Sequence, residues 1–430
     1  MQQTHRKTDP PQRCELLVIG AGMAGMAAAL FAARRGIDTI LVGESSEIIF
    51  ASGLMDLMGV HPLAQKRVWH DPWAAIRRLC RDLPAHPYAH IPEAGIRRAL
   101  ETVFSFLESA GLRYFRRPQR NCRVLTALGS EKITYGVPRT MAAGVQVLER
   151  KKPCRIVDIQ GLKGFSSRLI VRARHRSWPG LDAARIVFPG MQDRTEVYAE
   201  QMARALEVPR QREELARVLA PHVKGVAAVG MPAIFGMYHS DAVCRDLEQR
   251  LGVPLFEIPT FPPCVPGLRL KEAFERRLPE LGVRLITGKR VVSADVSQSN
   301  GFAFGVGDDL AVAADAAVLA SGRFLGKGLW ADRRRVRESL FDLPVCQPDS
   351  RRRWHRRTFL DSRGHPLNRA GLEIDARFRP LGTGGRPVHR RLYAAGSILA
   401  HQDWMRAKCG SGLSIASAWA AVEAFIRERG

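Results

Sequence analysis

Residues 14–44 constrain this chain more tightly than any other stretch. Residues 16–19 form a short apolar run of the kind that becomes a buried parallel strand. Gly20, Gly22 and Gly25 follow at GxGxxG spacing, with Ala21, Met23 and Ala24 between them. Residues 26–35 read as an Ala-rich helix that Gly36 stops, and residues 39–42 as a second strand. Glu44 closes that strand, 19 residues after Gly25. Strand, glycine turn, helix, strand and acid together make a βαβ unit with a dinucleotide fingerprint. Gly20 permits the sharp turn, Gly22 lets a pyrophosphate approach the backbone, and Gly25 lets the helix lie close to the strand. The bare N–H groups of residues 21–24 favour an anion. A carboxylate at Glu44 can accept both hydroxyls of an adenosine ribose.

Residues 16–33 carry no charge, so a window scan reads them as a membrane span or a signal peptide. Three glycines within six residues and an Arg-Arg-Gly stop argue for the nucleotide turn instead. No other stretch is apolar enough to span a bilayer. The chain has 430 residues, enough for two or three domains, and a formal net charge of +24. Its arginines are scattered, with short clusters at residues 333–335, 351–353 and 390–391 and no nucleic-acid motif. They read as a solvated basic face or one turned to acidic partners, and no nucleic-acid partner is expected. The eight cysteines include no Cys-x-x-Cys pair, so no iron–sulfur or structural zinc spacing is present and no metal ligands are assigned. Their dispersal fits reduced thiols in the cytoplasm.

Residues 1–13 are expected to be a disordered tail. Ser52 and Gly53 lie just past the acid-bearing strand, where the reactive end of an extended dinucleotide would fall. Residues 122–136 alternate and suggest a hairpin. Residues 258–270 form a proline-rich loop from which Arg269 opens a helix, a placement suited to a substrate anion such as a phosphate. Residues 312–319 are an apolar strand ending at Ala320, Ser321 and Gly322. A later strand ends at Gly396 and Ser397, and Cys409, Gly410, Ser411 and Gly412 open a final helix. The two ends of the chain therefore build one nucleotide domain, residues 14–65 with 286–430. Residues 66–285 form an inserted α/β domain for substrate or partner. The fold class is α/β, a Rossmann-like FAD/NAD(P)-binding flavoprotein fold with a second domain inserted.

Several stretches together resemble the B subunits of anaerobic glycerol-3-phosphate dehydrogenase. They are Ser52-Gly53-Leu54-Met55-Asp56-Leu57, Ala85-His86-Pro87-Tyr88, Met231-Pro232-Ala233-Ile234-Phe235-Gly236, Pro259-Thr260-Phe261-Pro262-Pro263 and Gly267-Leu268-Arg269-Leu270. Residues 317–322 and the run from Gly396-Ser397 through Asp403 to Cys409-Gly410 complete them. The resemblance covers nearly the whole chain. It implies a flavoprotein subunit that works with a second flavin subunit and an iron–sulfur, membrane-anchoring subunit. Together these would oxidise sn-glycerol 3-phosphate to dihydroxyacetone phosphate and pass electrons to quinone in fumarate or nitrate respiration. The chain would lie in the cytoplasm, peripheral to the inner membrane. The family is commonly described with FMN here, whereas Glu44 argues for FAD because FMN has no adenosine ribose. The family also tends to have glycine where this chain has Lys408.

Hydride removal from a hydroxyl-bearing carbon needs a base for the hydroxyl proton. His61, His239 and His401 lie in loops near the expected flavin face and are the candidates, none of them singled out by spacing. Two rival readings stand beside this one: a stand-alone flavin oxidoreductase of other specificity, and a non-catalytic electron-transfer or scaffold subunit.

Overall fold

The computed structural model describes residues 11–44, 48–296 and 301–429. Among these residues the larger sheet has seven strands. Its spatial order is Arg284–Thr287, Thr39–Gly43, Gln12–Ile19, Leu310–Leu319, Phe302–Val306 and Val291–Val296. The first four run parallel and the last two antiparallel. Leu392–Ala394 adds a further parallel partner to the far end of Leu310–Leu319. Leu16, Leu17 and Val18 are fully buried, as expected for a strand covered on both faces. Pairing begins at Gln12, so the expected tail is shorter than residues 1–13: the chain gains ladder hydrogen bonds as soon as Leu310–Leu319 lies beside it. Residues 1–10 lie outside the described residues.

The uncharged run at 16–33 is a strand followed by the helix Met23–Ala33, not a span. That helix packs on the last helix, Gly410–Arg429. Alanines such as Ala27, Ala28, Ala416 and Ala421 are fully buried and keep the two close. Among the described residues no helix is long and apolar enough to cross a membrane.

A second sheet is four-stranded and all parallel, in the order Leu255–Ile258, Ala228–Pro232, Cys154–Ile159, Leu181–Ile186. Hydrophobic clusters of its own cover both faces. A hairpin pairs Cys122–Leu125 with Glu131–Thr134. Not all of residues 66–285 belong to this lobe. Helices Pro72–Asp82 and Glu93–Ser109 send Trp73, Ile76, Phe104 and Leu107 into the larger core, as helix Val265–Glu280 does with Leu270, Phe274 and Leu278. Strand Arg284–Thr287 is an edge of the larger sheet.

Candidate functional site

The registers of the larger sheet place the site. Ile19 pairs with Val42 on one side and Leu319 on the other, and Leu319 pairs with Ala394. Four parallel strands therefore end at one level. The turns that leave them, at Gly20, Gly43–Glu44, Ala320–Ser321 and Ala395–Gly396, meet along one carboxyl edge. Ligands bind at that edge in open α/β sheets.

A cleft of about 610 Å³, open to solvent, lies there. Gly20, Ala21, Gly22, Glu44, Ser321 and Lys327 line it. Close backbone approach excludes side chains: a Cβ on Gly20 would lie 2.3 Å from Ala320 O, and Gly20 has φ +116°. A Cβ on Gly25 would overlap Gly20 O, so helix and turn touch backbone to backbone. The helix starting at Met23 is capped by extended Gly22 without a side-chain bond and has no acid in its first turn. Met23 and Ala24 thus sit in a helix start that keeps its positive end for an external anion. Ser321 Oγ is buried with no hydrogen-bond partner. Glu44 stands at the cleft wall, its side chain 42% exposed and Oε2 3.5 Å from Lys327 Nζ. Lys327 and Arg290 also line the cleft and were not singled out from sequence.

The remaining flank is tied in by Arg323, another residue that spacing does not reveal. Its Nε donates to Ser397 O at 2.6 Å and its Nη2 to Gln402 O at 3.1 Å; the guanidinium also donates to Asn368 O and Leu399 O. Burial pushes its pKa down to about 10, against the pull of Asp403. Gly322 (φ +71°) makes the turn into it. Gly396 (φ +81°) donates its N–H to Ser417 Oγ at 2.8 Å, and a Cβ there would strike Ala24 Cβ at 2.6 Å. Ser397 therefore sits beside the fingerprint helix.

At the start of the last helix, Gly412 N donates to Asp56 O at 2.7 Å and Ser411 Oγ to Leu54 O at 3.3 Å. Gly410 packs against the Trp404 ring. Cys409 is fully buried and its thiol pKa is pushed up by desolvation. Lys408 has φ +53°, the left-handed region where glycine is at ease, so the residue that departs from the resemblance occupies a glycine-like conformation. Burial lowers its pKa.

Other expectations fall elsewhere. Ser52 is half-buried, and Gly53 lines a separate small cleft, its O accepting from Tyr114 OH at 2.8 Å. Arg269 is not at a helix start, and it stands at the edge of that same small cleft, not at the nucleotide edge. Its helix begins at Val265, and Arg269 is 4% exposed. Nη1 and Nη2 bind both oxygens of Glu257 at 2.6 and 2.7 Å, and Nε donates to Gly236 O at 2.8 Å. A buried carboxylate demands a cation, and Arg269 meets that demand. The histidines are dispersed. His61 is buried with Nε2 2.8 Å from Asp82; His239 is exposed with Nδ1 2.9 Å from Glu207; His401 Nε2 is 2.8 Å from Glu373. None of them lines the cleft.

The FAD binding domain family matches residues 15–413. The B subunit of a probable anaerobic glycerol-3-phosphate dehydrogenase from Halobacterium salinarum is 32% identical over 425 residues, 95% of this chain and 96% of that protein. The chain belongs to this B-subunit family. The B subunit of Vibrio vulnificus is 28% identical over 95% of both chains, and that of Pectobacterium atrosepticum 29% identical over 97% of this chain and 99% of its own. A solved 3-ketosteroid delta1-dehydrogenase from Sterolibacterium denitrificans is more distant, at 12% identity and TM-score 0.44, covering 97% of this chain and 100% of that one. The family fixes the cofactor class as a flavin, chiefly FAD. The residues present fit it: glycine backbone for close approach, a bare helix end, a carboxylate on the cleft wall and an unpartnered buried hydroxyl.

Proposed function

We propose that this chain is the flavin-bearing B subunit of an anaerobic sn-glycerol 3-phosphate dehydrogenase. The observation that carries the reading is near-full-length B-subunit likeness joined to the cleft at the carboxyl edge. Bound flavin supplies reversible acceptance of a hydride or electrons. The chain supplies position. The N–H groups of residues 22–24 would hold the pyrophosphate, and Glu44 would accept from the ribose hydroxyls. Ser321 Oγ gives a directed hydrogen bond. The turns at Gly322, Gly396 and Ser397 and the 409–412 segment would supply the opposite flank of the flavin site. In this assembly a second flavin subunit and an iron–sulfur subunit carry electrons on to quinone. The chain sits at the membrane through them, with its +24 charge toward acidic surfaces.

A second reading has its own support. All three candidate histidines are engaged with acids away from the cleft. On that reading this subunit relays electrons and its partner oxidises the substrate. The test is rapid mixing of glycerol 3-phosphate with the flavin-loaded chain, alone and in complex with both partners. Bleaching in the complex alone favours the relay, and bleaching of the isolated chain favours direct oxidation. No glycerol 3-phosphate-dependent bleaching in either would refute the proposed function.

A further inference from the structure

Three loops of the larger lobe are laced together beyond the flavin cleft. Cys346 N donates to Gly371 O at 2.8 Å, and Gly371 N returns to Cys346 O at 3.1 Å. Leu372 N donates to Ile398 O at 2.8 Å, Ala400 N to Leu372 O at 2.9 Å, and His401 N to Arg369 O at 2.9 Å. Each loop projects one side chain to a common point: Cys346, Glu373 and His401. Their ligand atoms (Sγ, a carboxylate oxygen and a ring nitrogen) all lie within 4.8 Å of one another. His401 is held at φ +63°, a conformation rare for side-chain-bearing residues and one that turns its ring toward Glu373. Cys346 and His401 are half-buried and Glu373 is exposed, so the point opens to solvent on one side.

We propose that Cys346, Glu373 and His401 form a site for zinc or a similar borderline divalent cation, with water in the fourth position. Thiolate and imidazole select against magnesium and calcium, and one carboxylate completes three N, O and S ligands of the kinds zinc accepts. Bonds of about 2.0–2.3 Å in tetrahedral geometry put ligand atoms about 3.3–3.7 Å apart. His401 Nε2 and Glu373 Oε1 now stand at 2.8 Å, in a hydrogen bond. A cation bound by Nε2 leaves the ring proton on Nδ1 and releases the Cys346 thiol proton to solvent; Glu373 retreats from His401 by about half an ångström, and ligand atoms now up to 4.8 Å apart close to the tetrahedral spacing. The three backbones are already fixed by their mutual hydrogen bonds, so ion binding calls for side-chain adjustment alone. The donors lie 27 and 28 residues apart in sequence, which no short metal motif describes. The site is separate from the flavin cleft, and its test does not depend on the proposed function.

The experiment uses the full-length, flavin-loaded chain, reduced and stripped of metal, titrated with cobalt(II) and in parallel with zinc(II). The expected result is one equivalent bound, a thiolate-to-cobalt charge-transfer band, and a zinc-dependent rise in melting temperature. Cys346→Ser abolishes the band, whereas the control Cys80→Ser keeps it. Glu373→Gln, at an exposed position that tolerates change, weakens zinc at least tenfold while flavin content stays full. A band that survives Cys346→Ser, or no band and no stabilisation at saturating metal, would overturn the proposal.

Discussion

The ion pair between Arg269 and Glu257 gives the sharpest test of this structure, because sequence reasoning assigned Arg269 a different role. Glu257 sits in the second sheet, while the helix carrying Arg269 buries its neighbours in the larger core. The pair thus bolts one lobe to the other. Arg269→Met removes three charge-assisted hydrogen bonds, each contributing about 1.5–3 kcal/mol. Among the described residues it leaves Glu257, fully buried, with Thr140 Oγ1 at 2.5 Å and Phe235 N at 2.6 Å. Stranding a buried charge costs about 3–5 kcal/mol. Adding Glu257→Gln removes the stranded charge and keeps an acceptor, so the double variant should be more stable than Arg269→Met alone. Urea unfolding monitored by tryptophan fluorescence measures both, with glycerol 3-phosphate titration of the assembled complex alongside. Trp178, buried in the smaller lobe, reports the transition of interest. An Arg269→Met chain within about 1 kcal/mol of the parent, below the range for a buried pair, but with weakened substrate dependence would restore the anion-binding role and refute the bolt.

Gly22→Val places a branched side chain where phosphate oxygens approach the backbone; the chain should fold yet purify without flavin, and a full yellow complement in the absorbance spectrum would dislodge the site. Glu44→Ala should lower FAD affinity at least tenfold in fluorescence titration and leave FMN affinity untouched; equal loss of both would remove Glu44 from the ribose. His86 supplies a pH test. It is 2% exposed, and burial pushes its pKa down to about 3 from an ordinary 6.5. Its contribution is present above pH 6.5 and is lost as pH falls toward 3, since only the unfolded chain takes up the proton. The slope is about 1.4 kcal/mol per pH unit, or about 2 kcal/mol between pH 6.5 and 5. His86→Asn, which keeps an acceptor for Tyr88 N, should flatten the urea-midpoint profile over that range, and parallel profiles would sink the assignment.

The nucleotide edge was readable because its signal is local. Gly20, Gly22, Gly25 and Glu44 fall within one βαβ unit, and backbone sterics fix what each glycine must do. The strand ends at Ala320–Ser321 and Gly396 were legible for the same reason. Arg323, Lys327 and Arg290 were not: an arginine that gathers four carbonyls looks in sequence like any of the chain's scattered arginines. The partner of Arg269 was not legible either, because Glu257 lies 12 residues upstream on a buried strand and leaves no periodic mark. The helices at 72–82 and 93–109 show an apolar stripe, but periodicity says that a face is buried, not in which core. Trp73 and Phe104 reveal the answer only once the sheet is in place.

The four-carbonyl clasp of Arg323 has a kinetic side. It joins the turn after the central strand to loops 45 to 79 residues further on, so these segments cannot swing apart without stripping a guanidinium of its acceptors. Cofactor escape then requires one concerted opening, not two independent fluctuations, and such openings draw on a large share of the local unfolding free energy. Flavin release from this chain is accordingly expected to be slow, set by how rarely the two sides part together.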